Sequence, residues 1–296
     1  MELTNKRIIK ELLKKYNAKP EKYLGQHFIL SKKALALMIA TAKMKKNDTV
    51  IEIGPGLGTL TQELVKTGAN VIAIEKDPLM VGILKEIVAY YKNIKITQAD
   101  ARQLLMSDIN RVNRAIDVGH QYKVVANLPY NVATFLIRRW LELKNPPKLM
   151  VLMIQKEVAQ RIIAEPPYAN LLGTSIQFYA NAEIIDYVKK ESFWPRPKVD
   201  AAIIKITPRR NERYQSIGRA RSFSFFKVVK AGFSQPRKQL IGNLVKKLKM
   251  PRERFIEIFQ NLNISNTARA ENLSLDQWLL LANSIYSFLK REENKF

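Results

Sequence analysis

Short apolar runs alternate with helix-forming stretches between Thr49 and Thr207, and this alternation constrains the fold more than any other feature. The runs at 50–53 (VIEI) and 71–74 (VIAI) are typical of it. Parallel strands need a long crossover connection, usually a helix, whereas antiparallel strands can be joined by a tight turn. We therefore predict an α/β fold built on a parallel, doubly wound sheet.

The pattern changes after residue 208. The stretch 209–224 is basic and rich in turn-forming residues, which predicts a linker, and only helical patterns follow it. At the other end, apolar residues recur at helical spacing within 1–22. The predicted domains are thus 1–208, including the helical extension 1–22, and a small all-helical domain at 209–296.

Basic residues are in large excess and unevenly placed. The chain has 50 Lys and Arg against 26 Asp and Glu, a net charge of +24, and 209–254 alone has fourteen basic residues against two acidic ones. This excess favours a polyanionic partner such as nucleic acid. An anionic membrane is the alternative, but the charges are spread over several segments instead of one amphipathic helix. The predicted nucleic-acid contacts are Arg209, Arg210, Arg237, Lys238, Lys246 and Lys247.

The chain has no cysteine and only two histidines, His27 and His120. Disulfides and thiolate metal sites are therefore excluded, and we expect no zinc or other metal. The absence of cysteine suits a reducing cytoplasm, and we expect a cytoplasmic monomer. No stretch approaches the roughly eighteen apolar residues of a membrane span, and the N-terminus lacks the apolar core of a secretory signal.

A glycine-rich turn, EIGPGLG at 52–58, follows the first predicted strand. Glu75 lies 21 residues after Gly54 at the end of the second strand, and Asp100 ends the third. Glycines let the backbone approach a ligand closely, and a carboxylate at this spacing binds ribose hydroxyls. The arrangement predicts a nucleotide-binding site at the carboxyl edge of the sheet.

The details of this turn favour S-adenosylmethionine over NAD. A dinucleotide fingerprint requires a small residue, normally glycine, where this chain has Thr59, and Pro55 lacks an N–H that a pyrophosphate would use. In addition, a negative charge on Glu52 would repel phosphate and attract a cationic sulfonium. We therefore predict S-adenosylmethionine as the methyl donor.

Another strand ends at residues 127–130, which read Asn-Leu-Pro-Tyr. The Asn127 side-chain oxygen and the Leu128 carbonyl could accept hydrogen bonds from an exocyclic adenine amine and free its lone pair for attack. Pro129 would fix the turn, and Tyr130 offers a face on which the base could stack. Phe193, in the proline-flanked stretch FWPRPKVD at 193–200, could form the second wall of a base site. The alternatives are a simple turn, a packing role for Tyr130, and a hydrophobic plug formed by Phe193 or Trp194.

These stretches resemble the KsgA family of small-subunit ribosomal RNA adenine dimethyltransferases over nearly the whole chain. The motifs that carry the resemblance are YLGQHFIL (23–30), VIEIGPGLGTLTQEL (50–64), IEKD (74–77), QADA (98–101), NLPYNVAT (127–134), MIQKEVAQRI (153–162), FWPRPKVDAAI (193–203), FSQPRKQLIGNL (233–244) and RAENLSLDQW (269–278).

The resemblance implies a Rossmann-like methyltransferase domain with a seven-stranded sheet and a helical domain that grips ribosomal RNA. It also implies successive methyl transfer to N6 of two adjacent adenosines near the 3′ end of small-subunit rRNA, with the rRNA presented in a partly assembled subunit. The target base would meet Asn127, Leu128, Pro129, Tyr130 and Phe193. The implied cofactor contacts are His27, Ile29, Gly54, Gly56, Glu75, Lys76, Asp100, Ala101 and Asn127.

Three positions depart from the usual family pattern. His27 stands in place of Asn, Ile29 in place of Leu, and Gly173 in place of Ser. Because the first two contacts partly use the backbone, we expect cofactor binding to survive. Residues 110–121 have the character of a surface insertion.

Three other functions compete with this one. A large-subunit rRNA methyltransferase of the macrolide-resistance type would share the fold and chemistry, but NLPY and residues 233–244 favour the small-subunit enzyme. A DNA adenine methyltransferase would more often have Asp or Asn followed by Pro-Pro-Tyr. A ribosome-assembly factor without turnover is the third, although the intact turn, Glu75 and Asp100 favour catalysis.

Overall fold

The structure is a computed structural model, and it describes residues 1–21, 24–106, 121–209 and 219–293. Most of the predicted insertion at 110–121, most of the predicted linker and the predicted contact Arg210 lie outside these ranges. In the described part of the chain, no helix is both long and apolar enough to cross a membrane.

The chain alternates strands and helices up to residue 208 and is helical thereafter. Its strands are β1 (Phe28–Ile29), β2 (Thr49–Ile53), β3 (Asn70–Glu75), β4 (Ile94–Gln98), β5 (Tyr122–Asn127), β6 (Leu149–Gln155), β7 (Ala180–Val188), β8 (Phe193–Trp194) and β9 (Ala201–Pro208). Its described helices are α1 (Lys6–Lys15), α2 (Lys32–Ala42), α3 (Thr59–Lys66), α4 (Pro78–Ile87), α5 (Ala101–Met106), α6 (Ala133–Leu141), α7 (Lys156–Ile163), α8 (Leu171–Tyr179), α9 (Arg219–Gly232), α10 (Leu240–Leu248), α11 (Arg252–Asn261) and α12 (Leu275–Glu293).

Seven strands form one sheet in the order β4-β3-β2-β5-β6-β9-β7. The pairs β2·β3, β3·β4, β2·β5 and β5·β6 are parallel, so the predicted α/β class and the seven-stranded sheet are confirmed. The sheet is not wholly parallel, however, because β9 pairs antiparallel with β6. Between β7 and β9 the chain has a short 3₁₀ turn and β8 but no α-helix, so it returns to the sheet without a crossover.

The chain divides into two compact units, and the division differs from the predicted one. The first comprises residues 1–159 and 181–208, and the second comprises 160–180 and 209–296. Thus α8, which precedes the last strands of the sheet in the chain, groups with the C-terminal helices. A boundary at residue 208 between independently folding domains stays a prediction.

Each unit has its own apolar core. In the first, the helices α2 and α3 pack on the sheet, while α1 buries Ile9, Leu12 and Leu13 against residues that include Phe28 and Leu57. In the second, α8 and the C-terminal helices bury a core that includes Phe178, Phe225 and Trp278. The predicted N-terminal helix is therefore part of the first core.

Gly173 has a packing reason in the second unit. An added Cβ at this position would lie 2.6 Å from the carbonyl oxygen of Arg161 in α7. Asn170 tightens the same junction, because its side chain accepts from the Gly173 N–H at 3.0 Å and donates to the Arg161 carbonyl at 2.8 Å. Glycine thus permits a close approach of α7 and α8 that serine would oppose.

Candidate functional site

A cavity of about 180 Å³ lies at the carboxyl ends of β2, β3, β4 and β5. Open α/β sheets bind ligands at this edge, because the loops that leave parallel strands converge there. The cavity is lined by every residue predicted to contact the cofactor: His27, Ile29, Gly54, Gly56, Glu75, Lys76, Asp100, Ala101 and Asn127. The structure thus brings together residues from five separate motifs.

The glycine-rich turn between β2 and α3 requires its glycines. Gly54, Gly56 and Gly58 have φ values of +65°, +55° and +84°, in the left-handed region that other residues rarely adopt. At Gly58 an added Cβ would also lie 2.5 Å from Leu84 Cδ1, and Leu84 is buried. The turn therefore brings bare backbone to the edge of the cavity.

The Glu75 carboxylate is fixed by the backbone around it. Its Oε2 accepts from the Gly56 N–H at 3.0 Å, and its Oε1 accepts from the N–H groups of Lys76 and Asp77 at 2.8 and 2.9 Å. Burial raises the pKa of Glu75, and these three hydrogen bonds oppose the shift. The carboxylate is therefore held in one orientation before a ligand arrives, with room for a further donor.

Asp100 follows β4 and faces the same cavity. Its carboxylate accepts from the Arg102 N–H at 2.8 Å and pairs with the Lys76 ammonium at 3.1 Å. Burial alone would raise the pKa of Asp100, but the Arg102 hydrogen bond and the Lys76 charge hold it below its usual value. Asp100 is therefore an ionised acceptor beside Glu75, at the end of the adjacent strand.

Glu52 behaves differently from the charge that the sequence suggested. It is 2% exposed, and its Oε2 accepts from the Thr61 hydroxyl at 2.6 Å. Burial raises its pKa to about 8, the Thr61 hydrogen bond lowers it, and the Glu75 charge raises it further. At neutral pH the Glu52 carboxyl is therefore mostly protonated, so its negative charge is available to a cation only at higher pH or once a cation is close.

Asn127 ends β5 with its side chain at the cavity. Its amide nitrogen donates to the backbone carbonyl of His27 at 3.1 Å, which turns the carboxamide oxygen the other way. The next residue is also fixed, because the Leu128 N–H donates to the Met153 carbonyl at 3.1 Å. The Val132 N–H closes the turn on the Pro129 carbonyl at 3.1 Å. The two predicted acceptors therefore stand on a rigid peptide segment.

The residues predicted to contact the base occupy different environments. Asn127 and Pro129 line the cavity, whereas Leu128, Tyr130 and Phe193 do not. Tyr130 is partly exposed and packs near His27 with ring centroids 5.9 Å apart, and burial raises its pKa to about 12. Phe193 is 3% exposed within the core, in β8. This buried position is compatible with the alternative that Phe193 forms a hydrophobic plug. Its role as a wall of the base site stays a prediction.

One wall of the cavity is a continuous segment of which only two residues, His27 and Ile29, were predicted from the sequence. The segment 24–29 lines it, and β1 pairs antiparallel with β8, joining Ile29 to Phe193. Gln26 fixes the segment by donating to Asp77 Oδ2 at 2.9 Å and accepting from the Glu21 N–H at 2.8 Å. The motif YLGQHFIL was visible in the sequence, but this pairing joins residues about 165 positions apart and has no local signal.

The predicted nucleic-acid contacts in the second unit differ in exposure. Arg237, Lys238, Lys246 and Lys247 are exposed. Arg209 is partly buried, and its Nε donates to the Gln177 carbonyl at 3.2 Å. Within the described residues, no cluster of three or more His, Asp or Glu could hold a metal ion.

The comparison with known families agrees with this geometry. The sequence profile of the family described as ribosomal RNA adenine dimethylase matches residues 3–287. The chain belongs to this family.

Among the family's curated members, the chain is 37% identical to the Ribosomal RNA small subunit methyltransferase A of Dehalococcoides mccartyi strain ATCC BAA-2266, over 92% of this chain and 90% of that one. It is 39% identical to the protein of the same name from Clostridium botulinum strain Kyoto, over 95% and 99% of the two chains.

Two solved structures share the fold. A dimethyladenosine transferase from Plasmodium falciparum superposes with a TM-score of 0.71 at 25% identity, over 89% of this chain and 98% of that one. The 23S rRNA methyltransferase ErmE superposes with a TM-score of 0.69 at 23% identity, over 88% and 99%. This chain therefore shares its fold both with a protein named as a dimethyladenosine transferase and with one named as a 23S rRNA methyltransferase.

Proposed function

We propose that this protein transfers methyl groups from S-adenosylmethionine to N6 of two adjacent adenosines near the 3′ end of small-subunit rRNA. The observation that carries the proposal is the Asn-Leu-Pro-Tyr turn at the cofactor cavity, with the Asn127 amide nitrogen engaged by His27 and its oxygen turned away. Family membership and identities of 37–39% to small-subunit methyltransferases support the same conclusion.

The cavity fits the proposed methyl donor. Two carboxylates at adjacent strand ends, Glu75 and Asp100, suit the ribose hydroxyls and the adenine amine of an adenosine group. Bare backbone at Gly54 and Gly56 suits close contact with the amino acid part. When bound, S-adenosylmethionine supplies a methyl group activated by its sulfonium.

The protein's own residues would act on the target amine by orientation. The exocyclic nitrogen of adenine is a poor nucleophile because its lone pair is delocalised into the ring. Before the first transfer, the carboxamide oxygen of Asn127 and the carbonyl of Leu128 would accept hydrogen bonds from its two N–H groups and so favour a tetrahedral nitrogen. Tyr130 would hold the base by stacking. Catalysis would then rest on positioning and fixed dipoles.

We propose rRNA in a partly assembled small subunit as the substrate, and a monomer as the active form. The exposed basic residues occur on several segments of the second unit, which suits a folded RNA surface better than one short strand. The family's large-subunit function remains the second candidate, because ErmE has a similar fold. The higher identity to small-subunit relatives favours the first.

The experiment that tests this function uses labelled S-adenosylmethionine with unmethylated small subunits, large subunits and naked small-subunit rRNA. After digestion to nucleosides, N6,N6-dimethyladenosine is expected from small-subunit RNA, with the greatest yield from the particle. Label in large-subunit RNA would instead favour the second candidate. Tight particle binding without label would indicate an assembly factor.

A further inference from the structure

A tyrosine in the second unit projects into solvent from an anchored loop. Tyr168 is 79% exposed, and it lies between α7 and α8 after two consecutive prolines, Pro166 and Pro167. Its N–H donates to the Glu165 carbonyl at 2.8 Å. The next residue, Ala169, is buried and donates its N–H to the Glu271 carbonyl at 3.3 Å. The backbone on both sides of the exposed ring is therefore fixed.

This loop is hydrogen-bonded to one turn that carries a basic residue, and that turn is bonded to a second basic turn. The Ala169–Glu271 hydrogen bond joins it to residues 268–271. Residues 268–271 also contact residues 234–239. Gln239 and Arg269 form an antiparallel bridge, and the Leu240 N–H donates to the Ala268 carbonyl at 2.8 Å. We call the exposed residues of 165–168, 234–239 and 268–271 the Tyr168 surface.

The Tyr168 surface has three basic and two acidic residues, a net charge of +1. Arg237, Lys238 and Arg269 are exposed, and two acidic residues, Glu165 and Glu271, lie among them. The Arg269 guanidinium and Glu271 carboxylate are 3.8 Å apart on exposed side chains, a weak pair that a phosphate could replace. The surface thus combines basic side chains with one aromatic face, the combination that binds single-stranded nucleic acid.

An exposed tyrosine by itself indicates little, because single apolar side chains are common on protein surfaces. Tyr90 in the first unit is 96% exposed and is such a case. Tyr168 differs because its loop is hydrogen-bonded to a turn about a hundred residues away in the sequence, and that turn carries Arg269. Because hydrogen bonds hold the backbone of the loop, that backbone loses little conformational freedom when a base stacks on the ring, and this favours binding.

We propose that Tyr168 is a stacking platform for an unpaired base of the rRNA substrate, with Arg237, Lys238 and Arg269 on the adjoining phosphates. This inference rests on the proposed function, because it assigns a contact to the same RNA. A protein surface of the particle is the competing partner, and the test includes it.

The test compares Tyr168→Ala, Tyr168→Phe and the control Tyr90→Ala in the full-length protein. Affinity is measured for unmethylated particles and for naked small-subunit rRNA over a range of salt concentrations. Tyr168→Ala is expected to weaken binding to both by about 5- to 100-fold, the scale of losing one stacked base. Tyr168→Phe and Tyr90→Ala are expected to bind like the wild type. The dependence on salt should be the same for all, since no phosphate contact is removed.

Three results would overturn the proposal. Unchanged affinity of Tyr168→Ala would show that no base stacks there. A loss in Tyr168→Phe equal to that in Tyr168→Ala would assign the contact to the hydroxyl instead. A loss confined to particles would indicate a ribosomal protein. Product analysis separates this from the function itself, because a wild type that makes no dimethyladenosine would refute the activity whatever the binding results.

Discussion

The cofactor cavity and the Tyr168 surface would recognise their ligands by different physical means. In the cavity, Glu75 is buried and held by three backbone N–H groups, and Asn127 is held by a backbone carbonyl. On the Tyr168 surface, the basic side chains are exposed and long. A fixed, buried group contributes through its position, whereas an exposed charge contributes through a field that salt screens. Substitutions should therefore have large, local effects in the cavity and smaller, salt-dependent effects on the surface.

The largest effect is expected for Asn127→Ala. Removing one oriented transition-state hydrogen bond typically costs about a hundredfold or more in turnover, so kcat should fall by that factor while cofactor affinity falls less. The control is Asn145→Ala, in the loop before β6, at the edge of the sheet opposite the cavity. Its backbone carbonyl, and not its side chain, accepts from the Tyr122 hydroxyl, so the substitution keeps this bond. Single-turnover kinetics with saturating RNA measure the effect, and near-normal turnover of Asn127→Ala would remove the proposed role.

The glycine turn offers the next largest effect. Gly58→Ala forces a side chain into φ +84° and against the buried Leu84, so we expect it to lower the free energy of unfolding by about 1–3 kcal/mol and to weaken cofactor binding. Gly82→Ala in α4 is the matched control, because an added Cβ there meets nothing within 4 Å. Removing a helical glycine should stabilise the protein by roughly 0.5–1 kcal/mol. Urea unfolding measures both variants against the wild type. A free energy of unfolding of Gly58→Ala equal to that of the wild type would show that the turn tolerates a side chain.

Glu52, beside the cavity, should make the free energy of unfolding depend on pH. Because burial raises its pKa to about 8, the folded protein retains a proton that the unfolded chain loses near pH 4.5. The wild type should therefore lose stability as the pH rises through this window. Glu52→Gln should flatten the loss, by on the order of 1–4 kcal/mol at its upper end. Some dependence should remain, since burial raises the pKa of Glu75 as well. The free energy of unfolding of both proteins is measured at pH 5 and pH 9. An equal loss between these pH values in the wild type and in Glu52→Gln would contradict the assignment.

The smallest effect at moderate salt is expected for the double variant Arg237→Gln, Lys238→Gln. Both residues are exposed, so neutralising them should leave the fold and the cofactor affinity unchanged. If each contacts a phosphate, the slope of log affinity against log salt should become shallower by about 0.7–0.9 per contact. Titrations at several salt concentrations measure this, and a slope equal to that of the wild type would place the RNA elsewhere.

The sequence indicated that the residues predicted to contact the cofactor would lie close together, for a physical reason. Glu75 and Asn127 end strands of one sheet, and Gly54 and Asp100 lie one and two residues beyond the ends of two others, so strand prediction alone brings them to one edge. Features that depend on distant pairing were not predicted. The β1–β8 ladder that buries Phe193 and the antiparallel direction of β9 depend on tertiary contacts. The protonation of Glu52 depends on how deeply the folded chain buries it, which no local pattern records.

The hydrogen bond from Asn127 to His27 has one further consequence. Its acceptor is a peptide oxygen, which every amino acid possesses, so exchanging the imidazole for another side chain leaves that oxygen where it is. Family members can therefore differ at this position without losing the hydrogen bond that orients the Asn127 amide. The same bond ties the orientation of the Asn127 side chain to a segment that lies 100 residues earlier in the sequence.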